Sequence, residues 1–213
     1  MTLPLFTPTS APVSLGAHAA LLCGFALPMA DDLLQALHAV AVAAPFRHML
    51  TPGNRRMSAA MTNCGALGWV SDRRGYRYVA TDPDSGLAWP SMPATFLELA
   101  RTAAAAAGFD GFEPDACLMN RYESDARLSL HQDRDELPLD QPIVSVSLGL
   151  TADFLWGGAV RNARVRRVPV NHGDVVVWGG EDRLRFHGVE APGAGHHPAA
   201  GAVRYNLSFR RAF

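Results

Sequence analysis

The chain has no lysine. All 19 basic residues are arginines, set against 20 acidic residues for a formal net charge of −1. So even a balance gives no global electrostatic case for a nucleic-acid partner, and any such case must come from where the arginines lie. Several cluster: Arg55 with Arg56, Arg73 and Arg74 with Arg77, and Arg161 with Arg164, Arg166 and Arg167. Clusters of this kind suit phosphate contacts and equally suit a solvated, arginine-rich surface. Cysteine is also scarce. Cys23, Cys64 and Cys117 are widely spaced and odd in number, which argues against a disulfide framework or zinc ribbon and reads as buried free thiols in a reducing cytoplasm. The opening "MTLPLFTPTSAPVSLG" has no positive side chain and three prolines, unlike a secretory signal. Apolar runs break well short of a membrane span.

What remains is a chain of 213 residues, 48% hydrophobic, long enough for one domain with a full-sized core. The first fifteen or so residues, rich in Pro, Ser and Thr, read as an arm. Residues 28–44 form an amphipathic helical pattern with acidic residues in the first turn, where they favour the helix dipole. Residues 92–108 give a second helix, with Pro93 near its start and Gly108 as its stop. From about residue 115 the pattern changes to eight short β-rich runs at 115–122, 127–132, 143–150, 153–156, 165–170, 174–178, 184–189 and 203–210. Turn residues separate most of them. Closely spaced strands with little intervening helix predict a β-sandwich or jelly roll, buttressed on one sheet by the two helices. The stretch 51–90 between the helices mixes aromatics, Met and Arg with turn formers and shows no clear period or internal repeat. A connection of that length inside a compact domain is expected to be a lid or binding loop.

Chemistry concentrates in the β-rich half. His131, Asp133 and His187 have the ligand types and order of a 2-His-1-carboxylate facial triad, which holds one ferrous ion and leaves coordination positions open. His-x-Asp alone is weak: 8 histidines and 14 aspartates among 213 residues supply roughly half of one such pair by chance, and His172-Gly173-Asp174 also fits. The flanks separate the two. "ARLSLHQDRDE" alternates polar and apolar up to His131, as a strand face does. "NHGDVVVW" reads as a Gly-centred turn opening a buried strand, where Asp174 suits a turn hydrogen bond. In "RYNLSFRR", Arg204, Asn206 and Arg210 fall at even offsets, so an extended strand points them to one side. Two guanidiniums and an amide beside a ferrous site suit a small dicarboxylate, which arginine grips in a planar, bidentate way. A redox iron next to such a pocket points to a 2-oxoglutarate-dependent oxygenase.

The segments "MSAAMTNCGALGW", "PDACLMNRY", "LSLHQDRDE", "PIVSVSLGL", "HGDVVVWGG" and "RYNLSFR" carry a further signal. Together, over roughly residues 20–211, they resemble the AlkB family of Fe(II)/2-oxoglutarate-dependent dioxygenases that repair alkylated nucleobases, on its bacterial side. The resemblance implies a single domain, mainly β with flanking helices. Its parts would be an arm at 1–19, helices and a nucleotide-recognition lid at 20–114 (the lid about 45–90), and a double-stranded β-helix (jelly-roll) core at 115–213. It implies His131, Asp133 and His187 as iron ligands. It implies Arg204, helped by Asn206 and Tyr122, at the distal carboxylate of 2-oxoglutarate, with Arg210 and Asn120 at the carboxylate beside the keto group. Trp69 would stack on the damaged base opposite His131. Tyr76, Thr51 and Arg161 would contact the nucleotide or its backbone, and Asp135, Met57 and Met61 would line the base pocket.

Several of these roles also make physical sense unaided. Asn120 and Tyr122 are two apart on an expected strand and can face one pocket. A base must leave its stack to reach iron, and Trp69 can replace the lost stacking partner. N1-methyladenine and N3-methylcytosine are cationic, which a carboxylate at Asp135 favours. The bland counterparts are a lid-core aromatic, a solvated turn acid and gap-filling methionines. The arm and the loosely patterned segment 189–202 are departures. His196 and His197 lie in the latter and compete for the distal ligand position, although "RLRFHGVE" gives His187 the better-defined place at a strand end. The implied reaction consumes Fe(II)-bound 2-oxoglutarate and O2, yields succinate and CO2, and removes the methyl group as formaldehyde. The expected partner is alkylated single- or double-stranded DNA, with RNA a second candidate. No membrane, no obligate protein partner and nothing beyond a monomer is called for. Two rivals stand beside it: the same oxygenase chemistry on RNA or a protein side chain, and a non-catalytic cupin-like metal-binding module, which would have no need of Arg204 and Arg210.

Overall fold

In a computed structural model describing residues 11–213, thirteen strands numbered in chain order and two α-helices build a sandwich backed by helices on one side. The larger sheet runs β1 (Val13–Gly16), β2 (Ala19–Leu22), β11 (Val175–Trp178), β8 (Ile143–Gly149), β13 (Arg204–Arg210), β6 (Ala116–Tyr122) and β3 (Ala60–Gly65). The smaller runs β10 (Arg166–Val170), β9 (Ala152–Trp156), β12 (His187–Val189) and β7 (Leu128–His131). β4 (Gly68–Asp72) and β5 (Gly75–Val79) form a separate hairpin. Strands far apart in sequence are neighbours in both sheets and pair antiparallel, the jelly-roll arrangement. The eight expected strands match β6 to β13 within a few residues at each end.

The larger sheet is buried on both faces, and its side chains sort by the two-residue strand period. From β11, Val175 and Val177 join the core under the helices, while Val176 and Trp178 join the core between the sheets. From β13, Tyr205, Leu207 and Phe209 go to the helix side. The alternate residues Arg204, Asn206, Ser208 and Arg210 are therefore directed between the sheets, all of them buried.

Helix α1 (Ala30–Ala43) buries Leu33, Leu34, Leu37 and Val40, one stripe of a 3.6-residue period, and carries Asp31 and Asp32 in its first turn. A single 3-10 turn, Leu27–Met29, precedes it where Pro28 sits. Helix α2 (Ala94–Ala106) starts after Pro93 and buries Phe96, Leu99, Ala100, Ala103 and Ala104. Gly108 just beyond it takes φ +88°, the left-handed stop that glycine accepts most readily. Phe96 meets Phe209 of β13 edge to face at 5.8 Å. Truncating it to alanine removes contacts from both a helix and the central strand, a loss of about 3–5 kcal/mol.

Two expectations need correction. Residues 13–16 are not arm but edge strand β1, and residues 19–22 form β2, which pairs with β11; the rest of the expected arm, residues 1–10, lies outside the described residues. The stretch 51–90 contains strands β3, β4 and β5. β3 showed no polar–apolar alternation because it is buried on both faces and its polar residues are paired internally. The Thr62 hydroxyl donates to the Ala44 carbonyl at 2.7 Å, and the Asn63 amide exchanges hydrogen bonds with the Trp69 backbone.

Candidate active site

β7 and β12 bring His131 and His187 together as cross-strand partners, with their ring centroids 4.4 Å apart. The pairing shifts register immediately afterwards, at Gly188. A side chain there would put its Cβ 2.6 Å from the Leu128 carbonyl oxygen, so only glycine lets β7 approach this closely. Asp133 follows β7, and its Oδ1 lies 3.3 Å from His131 Nε2 and 3.7 Å from His187 Nε2. One ligand atom from each of the three falls within 4.8 Å of the others.

The surroundings set the protonation these side chains need as ligands. His131 Nδ1 lies 2.9 Å from the Ser129 carbonyl and His187 Nδ1 lies 3.1 Å from the Arg185 carbonyl. Each Nδ1 therefore carries the proton, and each Nε2 turns a lone pair toward Asp133 Oδ1. Burial, then the neighbouring His131, lower His187 to about 3, keeping it neutral. Burial opposes the charge on His131 too, but its hydrogen bond to Asp133 and the attraction of that carboxylate outweigh it and raise the pKa above 6.5. Asp133 is held well below the carboxylate range: burial works against this, and Arg210 and the two histidines overcome it.

Arg210 donates to Asp133 Oδ2 from Nε at 2.8 Å and from Nη2 at 2.6 Å. One carboxylate oxygen thus faces the imidazoles while the other is gripped from behind, the kind of outer partner that fixes a metal ligand. At the other end of β13, Arg204 is 1% exposed and lies over the Tyr122 ring, 5.0 Å from its centroid. Its Nη2 donates to Ser147 Oγ at 2.9 Å, but Nε and Nη1 have no hydrogen-bond partner. No carboxylate pairs with it among the described residues, and burial lowers its pKa. A buried guanidinium with two unpaired N–H groups is costly unless an anion completes it. Asn206 sits opposite Asn120, as Arg204 sits opposite Tyr122. The Asn120 amide donates to Asn206 Oδ1 at 3.2 Å, and its own oxygen is a further buried atom without a partner.

All of the expected site residues except Arg204 line one cavity of about 660 Å³. Arg204 lies behind Tyr122, which does line it. Trp69 stacks on Tyr76, with centroids 5.5 Å apart and rings inclined by 15°, and its indole N–H donates to Asp135 Oδ2 at 2.8 Å. Met57 and Met61 pack in the core between the sheets as well as lining the cavity. At the rim, Thr51 Oγ1 accepts from the Arg55 backbone, and the Arg161 guanidinium lies 5.8 Å from the Phe186 ring. The rival ligands lie elsewhere. Asp174 accepts from the backbone N–H groups of Gly24 and Asn171, both at 2.7 Å, as a turn aspartate does. His197 packs on His172 at 4.2 Å between ring centroids.

Sequence reasoning missed a set of side chains behind the triad. Glu136 is buried at 4% exposed, and Arg183 at 2%. Arg183 donates to Glu136 Oε2 at 3.0 Å and to the Asp133 carbonyl at 2.9 Å, and the Tyr78 hydroxyl donates to Glu136 Oε1 at 2.5 Å. Nothing in "HQDRDE" or "GGEDRLRF" distinguishes these charges from solvated loop residues. A wall of Phe154 and Trp178 beside His187 was equally unannounced; the Trp178 ring meets that imidazole edge-on at 4.8 Å.

A buried facial set of two imidazoles and a carboxylate, beside an unsatisfied arginine on the next sheet, is the chemistry of an iron oxygenase that takes an anionic co-substrate. The chain belongs to the 2OG-Fe(II) oxygenase superfamily, whose family model matches residues 19–210. Its cofactors are accordingly Fe(II), 2-oxoglutarate and O2. It is 53% identical over 198 residues to the alpha-ketoglutarate-dependent dioxygenase AlkB of Escherichia coli strain K12, covering 93% of this chain and 92% of that protein. Identity to the protein of the same name from Salmonella typhimurium is 54% over 188 residues, covering 88% and 87%. The solved structure of OsALKBH1 shares 29% identity and superposes with a TM-score of 0.83, covering 94% of this chain and 99% of that one. No helix among the described residues is long and apolar enough to cross a membrane.

Proposed function

We propose that this protein reverses alkylation damage by oxidative dealkylation of nucleobases such as N1-methyladenine and N3-methylcytosine, in DNA and secondarily in RNA. It would act as a cytoplasmic monomer of one domain, with the 45–90 segment as its nucleotide-recognition lid. The observation that carries this reading is the convergence of the Trp69–Asp135 pair with the His131, Asp133 and His187 set on one cavity. The similarity to dioxygenases named AlkB supports it.

His131, Asp133 and His187 would hold Fe(II) through the two Nε2 atoms and Asp133 Oδ1. The bound metal, with 2-oxoglutarate and O2, supplies the oxidation that hydroxylates the N-methyl carbon while 2-oxoglutarate becomes succinate and CO2. The residues of this chain supply binding, orientation and exclusion of water. Arg204 would receive the distal carboxylate on its unpaired N–H groups, with Tyr122 and Asn206 beside it. Arg210 and Asn120 would flank the carboxylate next to the keto group. Trp69, one face covered by Tyr76, offers its other face to a flipped base across from His131. Asp135, fixed by the indole, places negative charge where a methylated base is positive. Met57 and Met61 shape the pocket, while Thr51, Tyr76 and Arg161 meet the nucleotide backbone. The hydroxymethyl group then leaves as formaldehyde and restores the base.

The test is anaerobic loading with Fe(II) and 2-oxoglutarate, followed by O2 and a single-stranded N1-methyladenine oligonucleotide. Succinate, formaldehyde and repaired base should form in equal amounts. Succinate without repaired base would redirect the search to RNA or protein substrates, and absence of succinate would overturn the oxygenase assignment.

A further inference from the structure

The β4–β5 hairpin reaches the loop that follows Asp133 through two residues that face each other across the hairpin. Trp69 and Tyr78 are cross-strand partners, and such pairs project to the same side. Trp69 donates to Asp135 Oδ2 at 2.8 Å, and Tyr78 donates to Glu136 Oε1 at 2.5 Å. One rung of the hairpin therefore holds two consecutive loop residues. Glu136 extends the connection inward. Its Oε1 is 3.3 Å from Arg210 Nε, the same nitrogen that donates to Asp133 Oδ2 at 2.8 Å. Its Oε2 is taken by Arg183. Two buried carboxylates, Asp133 and Glu136, thus meet two buried guanidiniums, Arg210 and Arg183. Tyr78 is the neutral donor of the group and its member from the hairpin.

We propose that Tyr78 and Glu136 are positioning residues that tie the seat of the hairpin to the metal ligand Asp133 through Arg210, an inference that rests on the oxygenase reading of this site. Arg210 Nε is shared by two acceptors, and the Tyr78 hydroxyl satisfies part of the Glu136 charge. When the hairpin lifts, Glu136 Oε1 loses that donor and draws Arg210 toward itself. Asp133 Oδ2 then loses part of its grip, and Oδ1 loses its fixed aim at the imidazoles. Linkage makes the effect reciprocal: whatever holds Asp133 in its ligating orientation seats the hairpin. The substrate clamp and the metal set are in this way one coupled unit, joined by contiguous hydrogen bonds rather than by proximity alone.

Hydrogen–deuterium exchange on the full chain tests this without nucleic acid or turnover, comparing chelated protein with protein loaded with Mn(II) and 2-oxoglutarate. In the wild type, loading should slow exchange of the β4 and β5 amides by about tenfold or more. In Tyr78→Phe, which removes only the hydroxyl, that slowing should shrink to about twofold or less, and Mn(II) affinity should fall by about 10-fold, the usual effect of an outer partner. Glu136→Gln, which keeps shape and loses charge, should behave likewise. A role confined to stability would alter exchange with and without metal alike. Equal metal-dependent slowing in wild type and both variants would overturn the proposal, as would no slowing in the wild type. The methylated-oligonucleotide assay run beside it separates the two readings. Repair with a hairpin indifferent to Tyr78→Phe removes the coupling and keeps the function. Intact coupling with succinate but no repaired base removes the nucleobase reading and keeps the positioning roles.

Discussion

Arg204 and Arg210 leave the same face of β13, both buried, and stand in opposite electrostatic surroundings. Arg210 lies between two carboxylates and donates twice to Asp133; those neighbours outweigh burial and raise its pKa far above the ordinary value. Arg204 has a hydroxyl and an aromatic ring but no carboxylate, and two of its nitrogens are unpaired. A guanidinium already neutralised by protein holds another residue in place. One buried without its anion is a seat for a ligand, since the desolvation it suffers is offset only when a carboxylate arrives. The two ends of one strand thus divide the labour: one end orients a metal ligand, the other receives the co-substrate.

The largest effect should come from the residue both ends serve. Asp133→Ala removes a ligand and leaves Arg210 half paired; product formation should fall by more than about 100-fold, beyond the loss from an outer partner. Retention of turnover by folded variant protein would remove the triad assignment. Arg204→Met should raise the KM for 2-oxoglutarate by roughly 30-fold or more, the lower end for truncating a buried charged partner, with Mn(II) affinity unchanged in a calorimetric titration. Arg210→Met should show the reverse emphasis, weakening Mn(II) by about 10- to 100-fold. A milder effect follows from pH. His131 must be neutral to ligate, and its pKa is raised above 6.5. Metal binding therefore displaces a proton at and below neutrality, and affinity should rise with pH from about 6 to about 8 before levelling. A flat profile over that range would show that His131 is already neutral. The smallest effect belongs to His197→Ala, which should leave Mn(II) affinity within about twofold, because His197 packs on His172 away from the triad.

The strands that build the site were legible because their period is plain. The even spacing of Arg204, Asn206 and Arg210 and the alternation before His131 survive in three dimensions as one buried face and one strand end. β1 and β3 were not legible. The first is a short edge piece in a Pro- and Ser-rich stretch, and the second satisfies its polar residues internally and so shows no alternation. Roles were harder to read than places. Spacing aimed both arginines inward, but only the cross-strand neighbours, Tyr122 and Ser147 for one and the loop carboxylates for the other, distinguish receptor from support. Glu136, Arg183 and Tyr78 carried no signal at all, because loops write buried and solvated charges with the same letters.

The unequal pairing of the two arginines is tested most directly by denaturant unfolding of wild type, Arg204→Met and Arg210→Met in the presence of a chelator, with and without 2-oxoglutarate. Losing Arg210 strands Asp133 without its buried partner and should cost about 3–5 kcal/mol. Losing Arg204 relieves an uncompensated buried charge while giving up one hydroxyl bond and a ring contact, so it should cost about 1 kcal/mol or less. Stabilisation by 2-oxoglutarate should disappear in Arg204→Met. Equal destabilisation by the two substitutions, with 2-oxoglutarate still protecting Arg204→Met, would contradict the account.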